Sequence, residues 1–139
     1  MGVTVQYASR LRGLPPEARL RRWAKAAASA DAELNIRIVN AAEGRRLNHA
    51  FRGRDYATNV LTFPYGSRPP EADIVLCAQV VAREAREQGK ALEAHYAHLV
   101  VHGVLHAHGH DHEKAGEAKR MEALEVKILR GLGYVNPYE

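Results

Sequence analysis

The sequence predicts a single α+β domain over residues 1–139, and three observations carry that reading. Four short stretches alternate apolar with polar residues or cluster β-branched ones, as strands do. Five longer stretches repeat their apolar residues at helical spacing. Hydrophobic residues make up 46% of the 139 and charged ones 26%, the balance of an ordinary globular protein, and a chain of this length buries roughly two-thirds of its unfolded surface in one core. No internal repeat or low-complexity segment divides it.

Val3, Val5 and Tyr7 alternate with polar neighbours in a first short strand. Leu14-Pro15-Pro16-Glu17 then opens a helix, with proline and an acid in its first turn. Leu20, Trp23, Ala24 and Ala27 form its inner face, and Arg19, Arg21, Arg22 and Lys25 its solvated one. Leu34, Ile36 and Ile38 mark a second strand. Asn40 is expected to cap the next helix, with Glu43 at the reciprocal capping-box position and Leu47, Ala50 and Phe51 as the apolar stripe, ending near Gly53. Thr58 to Phe63 reads as a third strand that Pro64 stops, and Tyr65 to Glu71 as a mobile rim loop. Asp73 to Cys77 is a fourth strand. Helices follow over Ala78 to Gln88, about Leu92 to Ala107, and about Lys114 to Arg130, the last with Met121, Leu124, Ile128 and Leu129 inward.

No apolar run approaches the roughly 20 residues of a membrane span, and the N-terminal MGVTVQYASR lacks a signal peptide's apolar core. A cytoplasmic protein without a membrane partner is expected. Cys77 is the only cysteine, so no intrachain disulfide can form and a reducing compartment is the simplest assumption. The net charge is +4, and ten of the arginines fall in the first 54 residues. That surplus permits a nucleic-acid partner without requiring one.

Chemistry concentrates in His102 to His112, HGVLHAHGHDH. His102 and His106 are four apart, so on a helix they lie on one face about 6 Å apart along the axis. Gly109 can take positive φ, end the helix and turn the chain back, which offers His112 as a third ligand. Three imidazoles leave one position of a tetrahedral zinc open, the catalytic rather than the structural arrangement. His98 lies about 12 Å from His106 along a straight helix, too far to share an ion, and is expected as a packed or supporting residue. His108 and His110 compete for the third place; His95 and His49 are read as satisfied or exposed. The spacing also fits the metal helix of metzincin proteases, but the glutamate that serves them as general base is replaced by Gly103. Gly103 instead reduces bulk beside the ion or lets another segment pack closely.

Three separated blocks resemble the YbeY family of bacterial endoribonucleases. They are Leu47-Asn48 with Phe51-Arg52-Gly53-Arg54-Asp55 and Thr58 to Pro64; Asp73 to Cys77; and Leu92 to His112. Met121 to Glu125, Leu132 to Tyr134 and Pro137-Tyr138 extend the likeness over nearly the whole chain. The resemblance implies a small mixed four-stranded sheet with about five helices around a central, zincin-like metal helix. It implies one zinc ion on His102, His106 and His112, and Arg52 as the arginine needed for activity. The implied function is a metal-dependent, single-strand-specific endoribonuclease of 16S rRNA 3′-end maturation and ribosome quality control. Its partners would be ribosomal RNA and the small subunit, with ribosomal proteins or assembly GTPases beside them, and no DNA. Ala72 departs from the family's usual glycine, and the Tyr65 to Glu71 loop is short.

Arg52 makes chemical sense beside an ion, because a guanidinium fork offers paired donors to phosphodiester oxygens as they gather negative charge. Asp73 has two readings: it orients a ligand imidazole, or it caps its strand. Two other functions stay open from the residues: a ribosome-assembly factor whose metal mainly holds the fold, and a hydrolase of an amide or small phosphoester.

Overall fold

The computed structural model describes residues 1–110 and 114–139. Their elements run β1 (Gly2–Ala8), α1 (Glu17–Ala27), β2 (Glu33–Val39), α2 (Ala41–Arg52), β3 (Val60–Ser67), β4 (Pro70–Cys77), α3 (Ala78–Glu87), α4 (Leu92–Ala107) and α5 (Ala115–Gly131). The sheet is four-stranded and mixed, in the order β1-β2-β4-β3. β1 and β2 pair in parallel, as do β2 and β4, whereas β3 lies antiparallel on the outer edge of β4. The α+β class is therefore as the sequence predicts, with five helices.

One face of the sheet presents Leu34, Ile36, Ile38, Ile74 and Leu76 to α1 and α4, where Trp23, Leu20 and Tyr96 complete the main core. Each such side chain contributes about 1.5–3 kcal/mol by leaving water. The other face packs Val39, Leu61 and Val75 against Leu47 of α2 and Phe63. Helix α4 is the centre of the fold: it touches α1, α3, α5, β3 and β4. Its apolar residues encircle it, as expected for a helix buried on nearly every side.

Two local expectations are corrected. Pro64 does not stop the third strand, and Tyr65 to Glu71 is not a loop: β3 runs on to Ser67 and makes a hairpin with β4, slipping register between Pro64 and Gly66. Proline is tolerated there because β3 is an edge strand, where a missing N–H leaves no partner unsatisfied, and the irregularity absorbs the misfit. The capping box at α2 is not made either. Glu43 is drawn into an ion pair with Arg37 of β2. Gln79 from α3 caps α2 instead, accepting from the Ala41 N–H at 2.9 Å and donating to Asn40 Oδ1 at 3.1 Å.

Gly103 lets α4 lie close on the sheet. A Cβ there would come within 2.9 Å of Ile74 Cγ2 and 3.4 Å of Thr62 Oγ1, and Thr62 donates across this contact to the Gly103 carbonyl at 3.3 Å. Ile74 is fully buried and β-branched, so it has little room to yield. Gly103→Ala is expected to destabilise the protein by about 1–3 kcal/mol, read as a lower urea midpoint with an unchanged slope. An unshifted midpoint would disprove the tight contact.

Candidate active site

The last turn of α2, the segment 54–59, the start of β3 and the last turns of α4 enclose a cleft of about 310 Å³. Arg52, His102 and His106 all line it, together with Asn48, Arg54, Tyr56 and Asn59. The arginine and the histidines are some fifty residues apart in sequence; the edge strand β3 is what bridges them.

Its arginine side is built by α2. Gly53, at φ +69, ends the helix directly after Arg52, and its N–H closes onto the His49 carbonyl at 2.9 Å. Asn48 is buried and donates to the Tyr56 carbonyl at 2.7 Å, tying the following segment back to the helix. Arg45 grips Asp55 with two hydrogen bonds of 2.7 and 2.8 Å, and this hydrogen bonding holds the exposed Asp55 carboxyl below its usual range. Arg54 donates to the Tyr56 hydroxyl at 3.2 Å. Arg52, by contrast, has no carboxylate partner among the described residues.

Its histidine side depends on how α4 ends. His110 N–H reaches back to the Leu105 carbonyl at 3.1 Å and Gly109 N–H to the His106 carbonyl at 3.0 Å, with Gly109 at φ +92. This is a Schellman turn, which a residue bearing Cβ enters only with strain. It presents the His110 carbonyl to His106, whose Nδ1 donates to it at 2.9 Å. His102 Nδ1 donates to Glu125 Oε1 at 3.3 Å. A carbonyl and a carboxylate can only accept, so each ring carries its proton on Nδ1 and its lone pair on Nε2. That is the tautomer of metal-binding imidazoles, and the two ring centroids are 6.4 Å apart. The donor chemistry thus fits a borderline cation such as zinc. Among the described residues, no group of three His, Cys, Asp or Glu side chains is placed to hold a metal ion. The expected third ligand, His112, lies outside the described residues.

A profile of the family described as Endoribonuclease YbeY matches residues 16–133. This chain belongs to the YbeY endoribonuclease family. It is 58% identical over 130 residues to Endoribonuclease YbeY of Cupriavidus necator, covering 91% of this chain and 66% of that one. It is 61% identical over 125 residues to the protein of that name from Aromatoleum aromaticum, covering 89% and 81%. With the Alkalilimnicola ehrlichii protein of the same name the identity is 56% over 151 residues, covering 99% and 91%. The chain spans just under two thirds of the length of the Cupriavidus relative. The solution structure of TM1509 from Thermotoga maritima shares the fold, with a TM-score of 0.61, 24% identity and 99% of each chain covered.

In this YbeY-family chain the remaining histidines have other work. His108 donates from Nδ1 to the Val104 carbonyl at 2.8 Å and accepts at Nε2 from the Ser29 N–H at 2.9 Å, stapling the end of α4 to the end of α1. His110 contributes its backbone carbonyl to His106. His98 donates from Nε2 to Glu125 at 2.8 Å. His95 is buried against Glu84 at 2.9 Å, and Glu84 also receives Asn59 at 3.0 Å, so the cleft wall is anchored to α3 and α4. His49 is exposed.

Asp73 does not orient His102 or His106. Its neighbour Ile74 meets Gly103, so Asp73 faces the opposite side of the sheet, where it accepts from Asn35 at 3.0 Å and from the Tyr65 hydroxyl at 2.7 Å. Among the described residues, the carboxylate that meets His98 and His102 is Glu125 of α5. Met121, Glu125 and Leu129, spaced by four, are all buried, and that spacing was the available signal for it. Burial pushes the Glu125 carboxyl up, but hydrogen bonds from His102 and His98 outweigh it and bring it down to about 2. Burial lowers the His95 pKa, against the opposing effect of its hydrogen bond to Glu84.

These shifts set the acid limb of stability. His95 takes up its proton at a lower pH in the fold than in the unfolded chain, where the ordinary value is about 6.5, so its contribution fades from there downward. Glu125 stabilises fully above about 4.5, and that share disappears as the pH falls toward about 2. Unfolding free energies from urea titrations should therefore fall between pH 7 and 5.5, and less steeply in His95→Gln. Equal slopes for the two proteins would contradict this assignment.

Proposed function

We propose that this chain is a metal-dependent endoribonuclease for single-stranded RNA that acts on 16S ribosomal RNA at its 3′ end during maturation and in ribosome quality control. The observation that carries the reading is the meeting of Arg52 with His102 and His106 in one cleft. Relatives named Endoribonuclease YbeY at 56–61% identity supply the reaction class. His102, His106 and His112 would hold a zinc ion, which when bound supplies a Lewis acid for a phosphodiester oxygen.

Arg52 supplies what the chain itself can add to that chemistry. Phosphoryl transfer gathers negative charge on the nonbridging oxygens, and the Arg52 guanidinium, which has no carboxylate partner among the described residues, donates paired N–H groups to them. Arg54 extends the positive wall. Tyr56, half exposed on the same wall, offers a ring for base stacking, worth about 1–3 kcal/mol per base and open only to an unpaired strand. Gly103 removes the protease-type general base and leaves the cleft without that proton carrier. Among the described residues, no helix is long and apolar enough to cross a membrane. The reading places the protein in the cytoplasm with ribosomal RNA and the small subunit as partners, and ribosomal proteins or assembly GTPases beside them.

Arg52→Ala should lower cleavage of a single-stranded RNA oligonucleotide by about 100- to 1,000-fold while zinc content and melting temperature stay at wild-type values. Undiminished cleavage would remove Arg52 from the reaction. His106→Ala should lose both zinc, by elemental analysis, and cleavage. A zinc-free His106→Ala protein that still cuts RNA at the wild-type rate would rule out the metal-dependent reading.

A further inference from the structure

We propose that Glu125 is the positioning residue for His102, and that with His98 and Tyr138 it forms a hub around one buried carboxylate which makes the C-terminal segment part of the site. The proposal rests on the metal-site reading above and says which residue outside the cleft prepares the ligand.

Glu125 is 1% exposed, and a carboxylate is expensive to bury unless its oxygens are fully engaged. Three donors converge on Oε1: His98 Nε2–H at 2.8 Å, the Tyr138 hydroxyl at 2.9 Å and His102 Nδ1–H at 3.3 Å. The Tyr138 hydroxyl also lies 3.1 Å from Oε2. An oxygen that takes three donors must be a pure acceptor, and the negative charge of a carboxylate strengthens each of those bonds. Met121 and Leu129, one turn to either side, show that an apolar residue would have filled the same stripe. The carboxylate is therefore there for its acceptors. By holding the proton on Nδ1 it leaves the His102 lone pair on Nε2, the nitrogen that serves an ion in the cleft.

The other two members lock the hub. His98 stands edge-on to the Tyr138 ring, with centroids 5.3 Å apart and planes at 82°. Tyr138 is held in place by its own tail: its N–H donates to Asn136 Oδ1 at 2.8 Å, and Lys90 Nζ donates to the Pro137 carbonyl at 2.7 Å. A segment more than thirty residues after His102 thus bears on the orientation of that ring through one shared oxygen.

The test reads the His102 ring nitrogens by ¹⁵N NMR in metal-free protein, and zinc affinity by competition with a chelator. Wild-type protein is expected to show His102 protonated on Nδ1 and unprotonated on Nε2. Glu125→Met, which conserves volume without an acceptor, should move His102 toward the other tautomer and weaken zinc binding about 10- to 100-fold. Glu125→Gln, which keeps an acceptor oxygen, should restore the tautomer and most of the affinity. Wild-type His102 protonated on Nε2, or a folded Glu125→Met with both readings unchanged, overturns the proposal. If Glu125→Met does not fold, the wild-type tautomer and the Gln variant decide it. Wild-type protein that binds no zinc, with the tautomer still dependent on Glu125, overturns the metal reading and leaves the hold of Glu125 on the ring standing.

Discussion

Helix α4 has almost no side facing water, and it carries four histidines, with a fifth, His108, at its C-cap. Imidazole N–H groups pointed into such surroundings must find acceptors, because an unmade hydrogen bond in a core costs about 1–3 kcal/mol. Each ring is met: His95 by Glu84 of α3, His98 and His102 by Glu125 of α5, His106 by the turn that ends its own helix, and His108 by that helix's carbonyl and by Ser29. The rest of the architecture follows from satisfying this one helix.

The same packing creates the cleft. Because Gly103 has no side chain, α4 settles onto β3 and β4, and the edge strand carries the 54–59 segment and the end of α2 up beside the last turns of the helix. Arg52 and the two histidines then face one space although they belong to opposite layers of the sheet. The cleft combines a cationic wall with two imidazoles of one tautomer, an arrangement suited to an anionic substrate next to a cation.

Much of this was legible in the residues. The four-residue spacing of His102 and His106, with Gly109 three further on, set both the C-terminal limit of α4 and the side on which those rings stand, since helical periodicity and the terminating glycine are local properties. The apolar stripe of α1 was equally plain. Glu125 was not, although it lies four residues from Met121 and from Leu129, because a glutamate on a helix is ordinarily solvated and only the donors around it justify its burial. Asp73 misled in the opposite way: strand alternation places it beside Ile74 but does not say which face the histidines will occupy.

The chain's own order of residues determined the elements, the paired imidazoles and the positive start of the molecule, all of which arise from interactions within a few residues. Tertiary structure alone decided that Pro64 lies within a strand, that Gln79 rather than Glu43 completes the start of α2, and that Glu125 rather than Asp73 supports His102. Each of these depends on which strand is at the sheet's edge or which helix arrives from elsewhere. Such contacts join groups distant along the chain, and their energies depend on burial that exists only once the layers have closed.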